Sequence, residues 1–210
     1  MSSIYEEVVR PQDKRALHDF PSWIAETFYL AGGTALALQL GHRYSYDFDF
    51  FAPVDFDPER IEIDLEKIGR FIVFEKGKGT LELAWNETRI SLLHYPYPVL
   101  EWGPKWENIR LASILDIGLM KLMAVASRGS RKDFVDLFFL SQLVALESLF
   151  SNLPRKYGRT SYNLYHIVKS LAYFEDARQE PMPSMIRSCD WQEVEEFFRK
   201  AQVRIAEKFF

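Results

Sequence analysis

The 210-residue sequence has a single cysteine, Cys189, so neither a disulfide framework nor a cysteine-based zinc site is available, and nothing implies an oxidising compartment. A clean membrane span is missing as well: the apolar stretch 111–126 carries Asp116 and Lys121 near its middle. The first residues, with Glu6 and Glu7, hold no apolar run of the signal-peptide kind. The expected setting is therefore the reduced cytoplasm, without membrane insertion. Basic residues are not in excess either, since 26 Lys and Arg against 30 Asp and Glu leave a formal net charge of −4. Such a balance argues against indiscriminate binding to nucleic acid. Local clusters at Arg128/Arg131/Lys132 and Arg155/Lys156/Arg159 either contact a polyanion or are solvated surface charge. No internal repeat or low-complexity segment occurs. At 48% hydrophobic residues the chain can bury a core unaided, and its length fits one domain or two small ones.

The segment Pro11 to Thr27 places Ala16, Leu17, Phe20, Trp23 and Ile24 at helical spacing, with a break at Pro21. A short strand, 28–30, then stops at Gly32-Gly33, after which Thr34 caps a helix over 35–40. From Tyr46 to Phe51 acids alternate with aromatics, so on a strand Asp47 and Asp49 share one face while Phe48 and Phe50 pack on the other. A helix over 57–69 follows, then strands over 71–75, 80–85 and 88–95, the last two joined as a hairpin across Asn86-Glu87. The proline-rich stretch 95–104 reads as a stiff, turn-rich connection. Beyond it the pattern is helical over 111–127, 131–150, 162–174 and 191–208. These elements predict an α+β fold, with a small mixed-sheet core over residues 1–105 and a helical C-terminal domain over 106–210 that closes a cleft.

Asp47 and Asp49 are the pair that carries chemistry. Mg²⁺ takes octahedral oxygen ligands and keeps waters, so two carboxylates plus substrate phosphates complete its shell. An acidic pair on a strand is also the ordinary signature of a solvated face. Its position after a strand-Gly-Gly-Thr-helix unit changes that reading, because residues 34–46 suffice for one short helix and a return to the adjacent strand. Phosphate-gripping backbone and metal-binding carboxylates would then meet at one edge of the sheet.

Gly32-Gly33-Thr34 followed by Asp47-Phe48-Asp49-Phe50-Phe51 resembles the signature of the polymerase-beta-like nucleotidyltransferase superfamily. The longer string from Gly32 through Gly41-His42-Arg43 and Ser45-x-Asp47 is similar to its AbiEii/AbiGii toxin-type branch. Lys121, then Lys132-Asp133 and Asp136-Leu137, resembles the Lys…Lys-Asp-x-x-Asp-Leu pattern of the same branch. The resemblance implies a Mg²⁺- or Mn²⁺-dependent transfer of a nucleoside monophosphate from an NTP to an acceptor hydroxyl. It further implies an RNA such as tRNA as acceptor and a cognate antitoxin as partner.

In that reading Asp47 and Asp49 hold the metal, and Gly32, Gly33, Thr34, Arg43, Ser45, Lys121 and Lys132 bind the nucleotide. Lys121, on a helix apolar nearly all round, is either a triphosphate ligand or a snorkelling lysine. Asp133 and Asp136 lie three apart on one helical face, and one of the two is expected to orient Lys121 or to activate the acceptor. His42 is a loop hydrogen-bonder or a metal ligand. Tyr95 and Tyr97 stack on a base or pack beside prolines. Members of the superfamily place a third carboxylate on a later strand, but the matching strand here reads Arg89-Ile90-Ser91-Leu92 and offers Ser91 instead; Glu82 is a substitute from the preceding strand. Two rivals stay open: a metal-dependent nuclease, and a nucleotide- or RNA-binding module without catalysis.

Overall fold

The computed structural model describes residues 4–158 and 160–210, so Arg159 of the second basic cluster lies outside the described residues. The chain forms two compact units: the first runs to Pro98 and takes in Trp102–Ser113, the second comprises Val99–Glu101 and Ile114–Phe210.

In the first unit the segment from Pro11 is two helices, α1 (Pro11–His18) and α2 (Ser22–Thr27), interrupted just before Pro21. Helices α3 (Gly32–Leu40) and α4 (Pro58–Glu66) follow; the Asp57 side chain caps α4 by accepting the Glu59 N–H at 3.0 Å. Seven strands, β1 (Tyr29–Ala31), β2 (Phe48–Ala52), β3 (Phe71–Gly77), β4 (Thr80–Trp85), β5 (Thr88–His94), β6 (Trp102–Trp106) and β7 (Ile109–Ala112), form one mixed sheet in the order β3-β4-β5-β2-β1-β7-β6. β1 and β2 are antiparallel neighbours in its centre, while β2 with β5 and β1 with β7 run parallel. The glycine turn and the acid pair thus meet mid-sheet rather than at an edge. Asn86 and Glu87 both take positive φ, 47° and 66°, as the tight hairpin turn between β4 and β5 requires.

Alternation along β2 fixes the faces. Phe48 and Phe50 are buried together with Ile90, Leu92, Leu81 and Leu83 of the neighbouring strands, while Asp49 points the other way and keeps part of its surface in water. Burying each phenylalanine contributes about 1.5–3 kcal/mol, which pins the register. Two sequence expectations fail here. Trp102-Gly103-Pro104 lies in strand β6 rather than in a connection, and residues 109–112 form β7 before any helix begins. A proline is tolerated in β6 because that strand is the sheet's edge.

The second unit is helical: α5 (Ile114–Ser127), α6 (Arg131–Leu140), α7 (Leu146–Tyr157), α8 (Leu164–Ser170), α9 (Glu175–Gln179) and α10 (Trp191–Phe209). The single helix expected over 131–150 is two, α6 and α7, separated at 141–145. Phe134 anchors the interior against Phe174, Phe198 and Trp191, with ring centroids 5.1, 5.2 and 6.0 Å away, so the apolar spacing in α10 marks core. Lys156 is not surface charge: it is fully buried and pairs with Asp116 at 2.7 Å. Arg128 and Arg131 are likewise tied down, Arg128 to Asp133 and Arg131 to the Ala177 carbonyl and the Glu180 carboxylate. Among the described residues no helix is long and apolar enough to cross a membrane.

Candidate active site

Helix α3 begins at Gly32 itself, preceded by Ala31 in extended conformation, whose side chain offers no cap. The expected cap, Thr34, does something else. Buried inside the first turn, its hydroxyl donates to the Asp47 carbonyl and lies 2.8 Å from the Ser45 hydroxyl. One side chain therefore fastens the start of α3 to the segment that enters β2. The N–H groups of Gly32, Gly33 and Thr34 are first-turn donors without intrahelical acceptors, at the positive end of the helix dipole. Such a terminus is suited to phosphate.

The acids sit against it. Ala31 pairs with Asp49 across β1 and β2, and a Cβ added to Gly32 would stand 2.8 Å from Asp49 Oδ2. Gly32 also has φ +69°, so glycine is needed there twice over. At Gly33 an added Cβ would come within 2.3 Å of the Arg43 guanidinium, which is buried and donates to the Tyr44 carbonyl at 2.9 Å. Asp47 is exposed one residue before β2, which begins at Phe48 rather than at Tyr46. Gly32, Gly33, Thr34, Arg43, Ser45, Asp47 and Asp49 are thus one cluster. Gly32→Ala is expected to lower stability by about 1–2 kcal/mol for the left-handed backbone and to cut activity more steeply by displacing the Asp49 carboxylate. A melting curve beside a turnover assay separates the two effects.

The strand register shows where Ser91 and Glu82, the residues weighed for a third acid, stand relative to Asp49. Asp49 pairs with Ser91 across β2 and β5, and Ser91 pairs with Glu82 across β5 and β4. Paired residues share a sheet face, so Asp49, Ser91 and Glu82 form one row. Ser91 occupies the neighbouring slot and Glu82 the one beyond. Arg89, which the sequence reading passed over, lies two residues before Ser91 and donates to Glu82 Oε2 at 2.9 Å. Its pKa is raised, first by that hydrogen bond and the Glu82 charge, and further by Asp47 and Asp49. Among the described residues no group of three or more His, Cys, Asp or Glu is placed to hold a metal. The donor set in the first unit is two carboxylates, which fits an ion completed by substrate oxygens and water. His42 is fully buried; Tyr95 packs on Phe51, with centroids 5.6 Å apart, and on Tyr97.

In the second unit the structure brings Lys121, Asp133 and Asp136 together at the α5–α6 corner. Lys121 Nζ lies 2.9 Å from Asp133 Oδ1 and 2.6 Å from Asp136 Oδ2. Arg128 and the Ser130 hydroxyl both donate to Asp133 at 2.7 Å, whereas Lys132 is exposed. Burial alone would raise the Asp133 pKa, but the Lys121 charge and the Arg128 contacts outweigh it and hold the carboxyl well below the usual range. A folded pKa below the unfolded value of about 3.9 means stability that is present above that pH and is lost as pH falls through the folded value. Urea midpoints are therefore expected to fall on acidification below about pH 4, and less steeply in Asp133→Asn. Equal slopes would remove Asp133 from the acid response.

Residues 21–102 match the family model of the nucleotidyl transferase AbiEii toxin of type IV toxin–antitoxin systems. The uncharacterised protein aq_aa25 of Aquifex aeolicus (strain VF5) is 41% identical over 184 residues, covering 84% of this chain and 87% of the relative. Among solved structures, MenT4, a nucleotidyltransferase toxin of Mycobacterium tuberculosis H37Rv, is 18% identical with a TM-score of 0.55, over 94% of this chain and 86% of MenT4. JHP933 from Helicobacter pylori is 16% identical with a TM-score of 0.52, over 98% and 96%. At these identities what is shared with the solved structures is the fold.

Proposed function

Given that the chain belongs to the AbiEii family of nucleotidyltransferase toxins, we propose that it moves a nucleoside monophosphate from an NTP to a hydroxyl of an RNA such as tRNA, in the cytoplasm and under control of an antitoxin. The observation that carries this reading is the Asp49 carboxylate lying against Gly32 at the N-terminus of α3. Phosphate bound at that terminus and a cation bound at the acids would lie side by side. Asp47 and Asp49 would hold Mg²⁺ or Mn²⁺. When bound, the ion supplies positive charge to the α-phosphate as its bond to pyrophosphate breaks.

The chain's own groups do the rest. The Gly32, Gly33 and Thr34 N–H groups receive phosphate oxygens. Arg43 and Ser45 brace the turn, Arg43 against Gly33 and Ser45 against Thr34. In the second unit the ion pairs of Lys121 with Asp133 and Asp136 support a role of these acids in orienting that lysine. Lys121→Ala takes an ion-pair partner from two buried carboxylates and should cost stability as well, so a KM for NTP raised in protein shown to be still folded distinguishes a nucleotide-binding role from scaffold.

The test is incubation of the protein with each NTP labelled at the α-phosphate, Mg²⁺ and total bacterial RNA. Label should appear on RNA that keeps its length. RNA that shortens without gaining label would instead indicate a nuclease, and RNA bound but unchanged would indicate a module without catalysis.

A further inference from the structure

In-line displacement requires the attacking oxygen to approach phosphorus from the side opposite the leaving group. On this sheet that axis has a direction. From Asp49, β1 and the start of α3 lie on one side, while the paired row continues on the other to Ser91 and Glu82. Neighbouring strands stand about 4.8 Å apart, so Glu82 is roughly 10 Å from Asp49 along the row, with Ser91 between them. If pyrophosphate leaves at the glycine turn, the acceptor approaches over β5 and β4.

The surface in that direction carries more than a row of sheet residues. The Arg89 side chain is 55% exposed, and its guanidinium lies 5.4 Å from the centroid of the Phe74 ring. Phe74, on edge strand β3, is itself 56% exposed. A phenylalanine at such a position gains little from burial. An open ring beside a cation serves single-stranded nucleic acid well, the ring stacking on a base and the cation meeting a phosphate. A cross-strand Arg–Glu pair needs no ligand, but it does not explain the open ring beside it.

Resting on the transfer reading above, we propose that the β3–β5 side of this face is the acceptor subsite and receives the 3′-terminal nucleotide of a single-stranded RNA. Phe74 stacks on its base, Arg89 takes its phosphate, and Ser91 and Glu82 meet its attacking hydroxyl. As the RNA phosphate engages Arg89, the Glu82 carboxylate is released from its partner and accepts the hydroxyl proton. The oxygen then bonds to the α-phosphorus, and the bond to pyrophosphate breaks with the electron pair leaving on pyrophosphate. Glu82 returns the proton to solvent.

Two measurements on the full chain decide it. Fluorescence anisotropy with a short fluorescein-labelled single-stranded RNA should show Kd raised about tenfold or more in Phe74→Ala/Arg89→Ala, with binding of Mg²⁺-NTP unchanged. Glu82→Gln should keep its affinity for Mg²⁺-NTP and bind the RNA at least as tightly as wild type, because the neutral side chain no longer holds Arg89 in an ion pair, yet transfer about 100-fold more slowly. The subsite is refuted if wild type does not bind the RNA or if the double variant binds it equally well. Wild-type transfer rates in Glu82→Gln would remove its proton role. Absence of transfer by wild type is a different failure, that of the reading on which the proposal rests, and the RNA-binding arm stands without it.

Discussion

Asp49→Asn is expected to reduce nucleotide transfer by about 10²–10³-fold while the protein stays folded. The substitution keeps the shape of the side chain and removes its charge, and Asp49 is partly in water on the face opposite Phe48 and Phe50. The core of β2 is untouched, so stability should change by no more than about 0.5 kcal/mol. What is lost is one of two carboxylates beside the glycine turn proposed to take the phosphates. Electrostatic groups aimed at a transition state typically account for about 3–4 kcal/mol each, hence the size of the effect. Measured with saturating NTP and varied Mg²⁺, the variant should also need more metal. Full activity in a folded Asp49→Asn protein would sever the acid pair from the chemistry.

The largest stability effect is expected in the helical unit. Lys156→Met should destabilise the chain by about 3–5 kcal/mol, because it strands the Asp116 carboxylate in the interior of the helical unit. Asp116 and Lys156 are both fully buried and lie 2.7 Å apart. Asp116 also accepts the N–H groups of Leu100 and Glu101, at 3.0 and 2.8 Å. Converting Asp116 to leucine as well would remove the stranded charge but leave those two backbone donors unmet, at about 1–3 kcal/mol each. The double variant should therefore recover only part of the loss. Urea unfolding of the two variants beside wild type measures both, and a Lys156→Met midpoint equal to wild type would show the pair to be dispensable.

Much of the site was legible in the sequence because period-2 alternation and glycine have unambiguous physical consequences. Phe48 and Phe50, alternating with Asp47 and Asp49, could satisfy burial and charge only by facing the other way, and the structure buries both phenylalanines while leaving both acids partly or fully exposed. Gly32 was readable as a turn, and its positive φ and its contact with Asp49 give the reason. The hairpin at Asn86-Glu87 followed from two alternating runs at the right separation.

Other features were hidden because they depend on partners distant in sequence. Nothing local marks Trp102-Gly103-Pro104 as a strand; it becomes one because β7 supplies a ladder to pair with. Thr34 looked like a cap because local rules know only its own helix, whereas its acceptor, the Asp47 carbonyl, lies 13 residues on. Lys156 read as surface charge beside Arg155, since Asp116, 40 residues earlier, was not visible as its partner. Arg89 and Glu82 acquire meaning only through the register that sets Glu82 beside Ser91 and Ser91 beside Asp49.

The most direct test of the account is pyrophosphate release, followed in real time with Mg²⁺, RNA and each NTP in turn, for wild type and for Asp47→Asn/Asp49→Asn. Wild type should release pyrophosphate with at least one NTP, matched by nucleotide added to RNA, and the double variant none above background. Equal release by both proteins, or a wild type that neither releases pyrophosphate nor binds any NTP with Mg²⁺, would contradict it.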